Sequence, residues 1–196
     1  MHIPAPPILA LLGLLQATAH ATSVPLPGLV PGPLCLEAGT PLSFSLSEFA
    51  YLRYEVSASL PPTGAPNTTQ LVFALENAVI GVVTGCALQN VMLGDGSGEW
   101  VDDSETWYAC VDRTVVDPGG SGIEWPVKTS ARIDWAEWRL AINQTWGCDE
   151  SVSISQFSAL TLEPTCTENK TGSQYIMECT APDIIVSATP DEGTVL

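Results

Sequence analysis

The chain has 196 residues and a formal charge of −16, with 22 acidic side chains against 6 basic ones. Because binding to nucleic acid or to an anionic membrane surface depends on Lys and Arg, this balance argues against both partners. Hydrophobic residues make up 45% of the chain and charged residues 14%, which is typical of a folded protein and excludes a largely disordered one.

The N-terminus has the pattern of a secretory signal peptide. An unbroken apolar run from Ile8 to Leu15 precedes Ala19-His20-Ala21, a small-x-small cleavage site. We predict residues 1–21 as a signal peptide cleaved after Ala21, and hence an extracellular, secreted protein. A buried N-terminal helix is the alternative, and Pro4 and Pro6 argue against it. The C-terminus has no hydrophobic tail for a glycolipid anchor, so we expect a released protein.

Both histidines, His2 and His20, lie within the predicted signal peptide. A mature chain without histidine lacks the base of Ser-His-Asp and Cys-His catalysis and the usual ligand of zinc, copper and iron. We therefore predict no catalytic residue, no metal site and no cofactor, and a protein that acts by binding.

The mature chain is predicted to contain one folded domain. Residues 22–34 are read as a Pro/Gly-rich N-terminal arm, 35–188 as a β-barrel domain and 189–196 as a disordered C-terminal tail. Short alternating segments between Gly/Pro turns favour an all-β fold, a single antiparallel β-barrel or sandwich stabilised by disulfides. The best helical alternative is the segment from Gln70 to Ala78.

Alternating apolar residues predict the strands in chain order. Leu42, Phe44 and Leu46 share one face of the first strand, and a second strand is predicted from Tyr51 to Ser59. The later predicted strands are 71–75, 79–83, 106–111, 132–142 with a bulge near Ala136, 151–162 and 175–186.

One acidic loop offers two interpretations. Asp95, Glu99, Asp102 and Asp103 provide the hard oxygen ligands that calcium prefers. Their spacing does not match the calcium loop of an EF-hand, so we favour a solvated turn.

A second segment places carboxylates near tryptophans, as glycosidases do and as sugar-binding surfaces do. In an all-β domain such aromatic residues are more often core, and we predict that the tryptophans from Trp125 to Trp146 are mainly core with at most one or two exposed. The side chains concerned are Glu124, Asp134, Glu137, Trp125, Trp135 and Trp138.

Three sequons make Asn67, Asn143 and Asn169 candidate N-glycosylation sites in an exported chain. Asn67 and Asn169 are predicted to lie in loops, and each asparagine is a usable acceptor if it is exposed.

Six cysteines, an even number in a chain predicted to be secreted, are expected to form disulfides, and the sequence by itself leaves about fifteen pairings open. The absence of a CxxC motif argues against a zinc or thioredoxin-like site. The cysteines are Cys35, Cys86, Cys110, Cys148, Cys166 and Cys179.

Four segments carry a resemblance to a known family. They are Ser47-Glu48-Phe49, Val83-Thr84-Gly85-Cys86, Trp107-Tyr108-Ala109-Cys110, and the polar tip between Cys166 and Cys179 before Ile184-Ile185-Val186. From Cys35 to Ala188 the chain resembles the Alternaria major-allergen family of secreted fungal β-barrel proteins. The longer loops and Cys148 depart from the family pattern.

The resemblance implies a fungal, non-enzymatic protein of the allergen, elicitor or effector type. Such a protein would recognise a host or wall protein or a small ligand, and would be a monomer or a weak homodimer. Two other classes stay open, a carboxylate-dependent glycan-active enzyme and a structural cell-surface glycoprotein.

The family pattern, with the strand-turn-strand spacing, predicts that Cys86 pairs with Cys110. Cys166 and Cys179 flank a predicted hairpin over residues 167–178 and are expected to pair. Cys35 and Cys148 remain as the third pair. The family's first cysteine can join two subunits, and a bond to Cys148 would prevent that here.

Overall fold

The computed structural model describes residues 42–56, 67–93, 99–117, 122–149 and 152–190. The strands in these ranges are β1 Leu42–Val56, β2 Thr68–Asn77, β3 Val82–Val91, β4 Tyr108–Ala109, β5 Arg113–Val116, β6 Glu124–Asp134, β7 Arg139–Asp149, β8 Val152–Thr161, β9 Thr165–Thr171, β10 Gln174–Thr180 and β11 Ile184–Pro190.

The described strands form a nearly closed antiparallel barrel, which confirms the predicted all-β class. Their order is β3-β2-β1-β11-β8-β7-β6-β4, with β5 paired to β6 and the β9–β10 hairpin paired to β1 through β10. Val111 N donates to Gly85 O at 2.9 Å, which links β3 to the far end of the sheet. The helical alternative for 70–78 is wrong, because residues 70–77 lie in β2 and Ala78 begins the following turn. Within the described ranges, no helix is long and apolar enough to cross a membrane.

The two strands predicted before residue 60 are one strand with a bulge. The register of β1 against β2 shifts between Ser47 and Ala50, and Glu48 has a φ of 55°. Because of the extra residue, the side chains that face inward have even numbers before the bulge and odd numbers after it. Phe49 and Tyr51 therefore lie in the core together with Leu46.

Two predicted strands contain turns. In the 79–83 segment, residues 78–81 form a turn because Asn77 Oδ1 accepts from Val79 N and Gly81 adopts a φ of 64°. In the 132–142 segment, Asp134 Oδ1 accepts from the backbone N–H groups of residues 136 and 137. Trp138, with a φ of 56°, completes that turn, so the predicted bulged strand is a hairpin of β6 and β7.

Other boundaries differ from the sequence predictions by smaller amounts. The strand predicted at 106–111 is only Tyr108–Ala109, and the segment 175–186 is divided between β10 and β11. β11 ends at Pro190, where Thr189 lies opposite Phe157, so it extends two residues beyond the predicted domain.

The barrel interior consists of two apolar clusters with a polar layer between them. On β7, Ile142 belongs to the main cluster, Trp146 to the second cluster, and Gln144 lies between them. Gln144 Oε1 accepts from Asn77 Nδ2 at 2.6 Å, and Gln144 Nε2 donates to Thr129 Oγ1 at 2.9 Å. These buried amides satisfy one another and help to fix how the strands are packed.

Both disulfides in the described part of the chain match the sequence predictions. Cys86 bonds to Cys110, and Cys166 bonds to Cys179 directly across the β9–β10 hairpin. Cys35 and the Cys148 side chain lie outside the described residues, so their pairing stays a prediction.

Candidate functional site

Past the apolar core, the inner faces of β1, β9 and β10 carry charged side chains. Arg53 and Glu55 on β1 lie opposite Met177 and Tyr175 on β10. Directly opposed residues of antiparallel strands project to the same face, so these side chains form one surface with the β9 residues opposite them. We call this surface the charged mouth, and its residues are Arg53, Glu55, Trp100, Glu168, Lys170, Tyr175 and Met177.

Arg53 is the central cation of the charged mouth. Its guanidinium carbon lies 5.3 Å from the centroid of the Trp100 ring, and its Nε forms an ion pair with Glu55. The side chains of Arg53 and Glu55 are 37% and 26% exposed, so both are partly removed from water. Ring, carboxylate and partial burial together hold the guanidinium in a defined place.

Trp100 is positioned by a short backbone ladder. Met92 and Trp100 form an isolated antiparallel bridge, and Val101 N donates to Val91 O at 2.8 Å. The chain therefore returns along the end of β3, which brings the indole ring to Arg53.

A second cation, Lys170, lies over an aromatic ring on the β9–β10 hairpin. Its Nζ is 5.2 Å from the centroid of Tyr175. Burial, followed by the hydrogen bond and negative charge of Glu168, raises the pKa of the Tyr175 hydroxyl, and the positive charge of Arg53 opposes this. The Tyr175 hydroxyl therefore stays protonated at neutral pH, and Glu168 accepts its hydrogen bond.

The inner side of β2 forms the floor beside Arg53. Asn67 Oδ1 accepts from Val56 N at 2.6 Å, and Asn67 Nδ2 is 3.2 Å from Met92 Sδ. Thr69 lies opposite Arg53 and is 3% exposed. Its Oγ1 has no hydrogen-bond partner among the described residues.

Asp102, from the predicted acidic loop, organises the structure next to the charged mouth. Its carboxylate accepts from the Tyr108 hydroxyl at 2.6 Å, Trp135 Nε1 at 2.8 Å and Ser104 N at 2.9 Å. Burial raises the pKa of this carboxyl, but hydrogen bonds from Tyr108, Trp135, Thr106 and Ser104 outweigh it, so its pKa lies below the ordinary value of 3.8. Asp102 is thus a buried, ionised acceptor with structural partners.

The alternative of a calcium site in this loop gains no support from the described residues. Asp95 lies outside them, and no group of three or more His, Cys, Asp or Glu side chains within them is arranged to hold a metal ion.

Aromatic side chains fill the barrel below the charged mouth. The Tyr51 ring meets Trp138 edge-on with centroids 4.7 Å apart, and lies 6.4 Å from Trp135. Trp135 and Trp138 are partly buried against the main cluster, Trp125 packs on the second cluster and Trp146 is 1% exposed. Trp146 alone of these four is a core residue, whereas the other three are partly buried against the core and none is exposed, so the prediction that they are mainly core is confirmed in part.

Glu124 and Asp134 do not form a catalytic pair. Glu124 and Asp134 are the first and last residues of β6, which places them about 33 Å apart at the usual rise per residue. Glycosidase carboxylates are separated by roughly 5 to 9.5 Å. Asp134 holds the β6–β7 turn, and Glu137 lies 3.8 Å from Arg139.

The three sequons lie in different environments. Asn67 is half-buried at the floor described above. Asn143 is half-buried on β7, where its Oδ1 accepts from Ser155 Oγ at 3.2 Å. Asn169 is exposed, and it lies in β9, whereas a loop was predicted there.

Comparison with known proteins returns structures alone. No family model matches the chain, and no curated protein matches it. A crystal structure of the Alternaria alternata major allergen Alt a 1 is similar with a TM-score of 0.41 and 14% identity, over 78% of this chain and 96% of that one. A second crystal structure of the Alternaria alternata allergen Alt a 1 has a TM-score of 0.35 and 14% identity, over 76% and 88% of the two chains. Similarity at this level does not decide family or function.

The sequence patterns do not reveal that Arg53 lies over Trp100 or that Lys170 lies over Tyr175. The signals that could have drawn attention to them are weak. The chain has only 6 basic residues, and Arg53 and Lys170 each lie two residues or fewer from a glutamate on a predicted strand or hairpin.

Proposed function

We propose that this chain is a secreted binding protein of the allergen or effector type, which recognises a host or wall protein or a small ligand through the charged mouth. The observation that supports this most strongly is the position of Arg53, whose half-buried guanidinium is held over Trp100 in a strongly acidic chain.

The chemistry of the charged mouth suits recognition. Arg, Trp and Tyr dominate the energetics of protein interfaces because they combine large contact areas with directional hydrogen bonds. All three types occur here, as Arg53, Trp100 and Tyr175. Arg53 is fixed before a partner arrives, so little side-chain entropy remains to be lost on binding.

The partner that fits best carries an acidic group next to apolar surface. A carboxylate of the partner can replace Glu55 as the acceptor of the Arg53 guanidinium, and Met177 and Trp100 offer the apolar contact. The surrounding negative charge disfavours strongly acidic polymers such as nucleic acid.

Recognition is favoured over glycan hydrolysis by the placement of the carboxylates. Glu124 and Asp134 lie too far apart for acid–base work, and Asp102 is held by Tyr108 and Trp135. The sequence resemblance to secreted fungal allergens supports the same class.

Two experiments test this proposal. The full chain is expressed in a secreting fungal host, and N-terminal sequencing of the protein in the medium is expected to begin at Thr22. The purified protein is then incubated with plant apoplastic fluid and, separately, with a glycan array. Saturable retention of a defined protein supports the proposal. Release of sugars from the array would show that the protein is an enzyme and would contradict the proposal.

A further inference from the structure

We infer that Asn169 is the N-glycosylated asparagine of the folded protein, and that its glycan shields the exposed edge of β9. The inference rests on the proposed secretion, since oligosaccharide transfer takes place on exported chains.

β9 is an edge strand. Within the described ranges it pairs with β10 alone, and all seven of its residues are exposed. The backbone N–H and C=O groups along such an edge form a template for another strand, which proteins usually block.

Asn169 is placed to block this edge without closing the charged mouth. Side chains alternate between the two faces of a strand, so Glu168 and Lys170 point to the mouth and Asn169 points to the outer face. Asn169 lies opposite Ile176 there, in an open groove also lined by Thr167 and Glu178.

The local hydrogen bond at this sequon involves the amide oxygen. Thr171 Oγ1 donates to Asn169 Oδ1 at 3.2 Å, and the atom that receives the sugar is Nδ2. The exposed position and this hydrogen bond are compatible with a glycan directed into solvent.

Asn67 is a matched contrast within the same chain. Its Oδ1 accepts from Val56 N, and its Nδ2 contacts Met92 Sδ on the inner face beside Arg53. A glycan on Asn67 would displace that contact and fill the charged mouth. Asn143 lies half-buried on β7, which is hydrogen-bonded on both sides by β6 and β8.

The reaction joins Asn169 to a lipid-pyrophosphate-linked oligosaccharide. A bond forms between Nδ2 and the anomeric carbon of the first sugar, and the bond from that carbon to the pyrophosphate oxygen breaks. Nδ2 loses one proton, and the lipid pyrophosphate leaves.

A bare edge invites pairing with a second copy of the chain. An antiparallel pair of β9 strands centred on Asn169 places Glu168 of one copy opposite Lys170 of the other, which is a favourable cross-strand charge pair. A glycan at the centre of this register prevents the approach.

The test compares secreted wild-type protein with Asn169→Gln, Thr171→Ala and Asn67→Gln variants, before and after treatment with peptide N-glycosidase. We expect a mass decrease on treatment of wild type and Asn67→Gln, and none in the two β9 variants. A bare Asn169 peptide in secreted wild-type protein, or an unchanged mass decrease in Asn169→Gln, would overturn the inference. If the chain is not secreted by itself, a heterologous signal peptide added before the full chain directs its export. Absence of a glycan at Asn169 can then be distinguished from absence of secretion.

The shielding role has its own readout. Sedimentation of the secreted proteins is expected to show more concentration-dependent dimer for both bare variants, Asn169→Gln and Thr171→Ala, than for wild type. Equal dimer fractions would contradict the shielding role.

Discussion

Trp135 Nε1 donates a 2.8 Å hydrogen bond to Asp102 Oδ2, which ties the segment after β3 to the turn between β6 and β7. The same oxygen accepts from Tyr108 at 2.6 Å, so one carboxylate joins three parts of the barrel. Asn90 adds two bonds to the backbone of Asp102, at 2.8 and 2.9 Å. The Asp102 side chain therefore stabilises the part of the barrel next to the charged mouth.

We predict that Asp102→Asn destabilises the fold by about 2–3 kcal/mol at neutral pH, because hydrogen bonds to a charged acceptor are lost and an N–H faces two donors. Denaturant unfolding measures this. Asp103→Asn is the matched control, since Asp103 is exposed and its substitution should change stability by less than about 0.5 kcal/mol.

The stability difference between wild type and Asp102→Asn should depend on pH. The pKa of Asp102 is lowered by folding, so its contribution is fully present above the ordinary value of 3.8 and is lost as the pH falls through the lowered value. Unfolding curves from neutral pH to below 3.8 should show the difference shrinking on acidification. A difference that grows at low pH would contradict this assignment.

Thr69→Val should stabilise the protein by about 1 kcal/mol. Thr69 is buried, its hydroxyl has no partner among the described residues, and valine has nearly the same shape without that polar group. Thermal unfolding measures the gain. A clear loss of stability would show that the hydroxyl makes a bond that matters to the fold.

Trp146→Ala should cost about 3–5 kcal/mol, because the ring is 1% exposed within the second apolar cluster. Trp107→Ala is the control. Trp107 is 40% exposed, and its main described contact is with the Arg132 guanidinium, worth roughly 0.5–1 kcal/mol. Comparable losses for the two variants would contradict this view of the core.

The Cys166–Cys179 disulfide should be reduced before Cys86–Cys110. Reduction requires a thiolate to reach a sulfur atom, and Cys166 is exposed whereas Cys86 and Cys110 are 3% and 7% exposed. Graded reduction, alkylation and peptide mapping establish the order. Alkylation of Cys86 before Cys166 would show that the Cys86–Cys110 disulfide is reduced first and would contradict this prediction.

The strands with one buried face were predictable from the sequence. Leu42, Phe44 and Leu46 alternate because every second side chain enters the core, and the same holds for 71–75. The β6–β7 turn was missed because apolar residues continue through it. Opposite parity on its two sides predicts a bulge, whereas Trp138 adopts a positive φ and the chain reverses.

The charged mouth was not predictable from local patterns. It depends on β10 pairing with β1 and on the return of the chain that places Trp100 over Arg53. The Cys166–Cys179 hairpin was predictable, because its two ends are close in sequence. Nothing in that hairpin's own sequence specifies the strand on which it packs.

The most direct test of recognition through the charged mouth compares two charge-matched variants. Arg53→Gln removes the cation over Trp100, whereas Lys128→Gln removes an exposed cation paired with Asp112 on the outer side of β6. Wild type and both variants are immobilised, exposed to plant apoplastic fluid and compared by quantitative mass spectrometry, after circular dichroism shows that all three are folded. We predict that proteins retained by wild type are retained by Lys128→Gln and lost from Arg53→Gln. Equal retention by all three proteins would contradict the proposed role of the charged mouth.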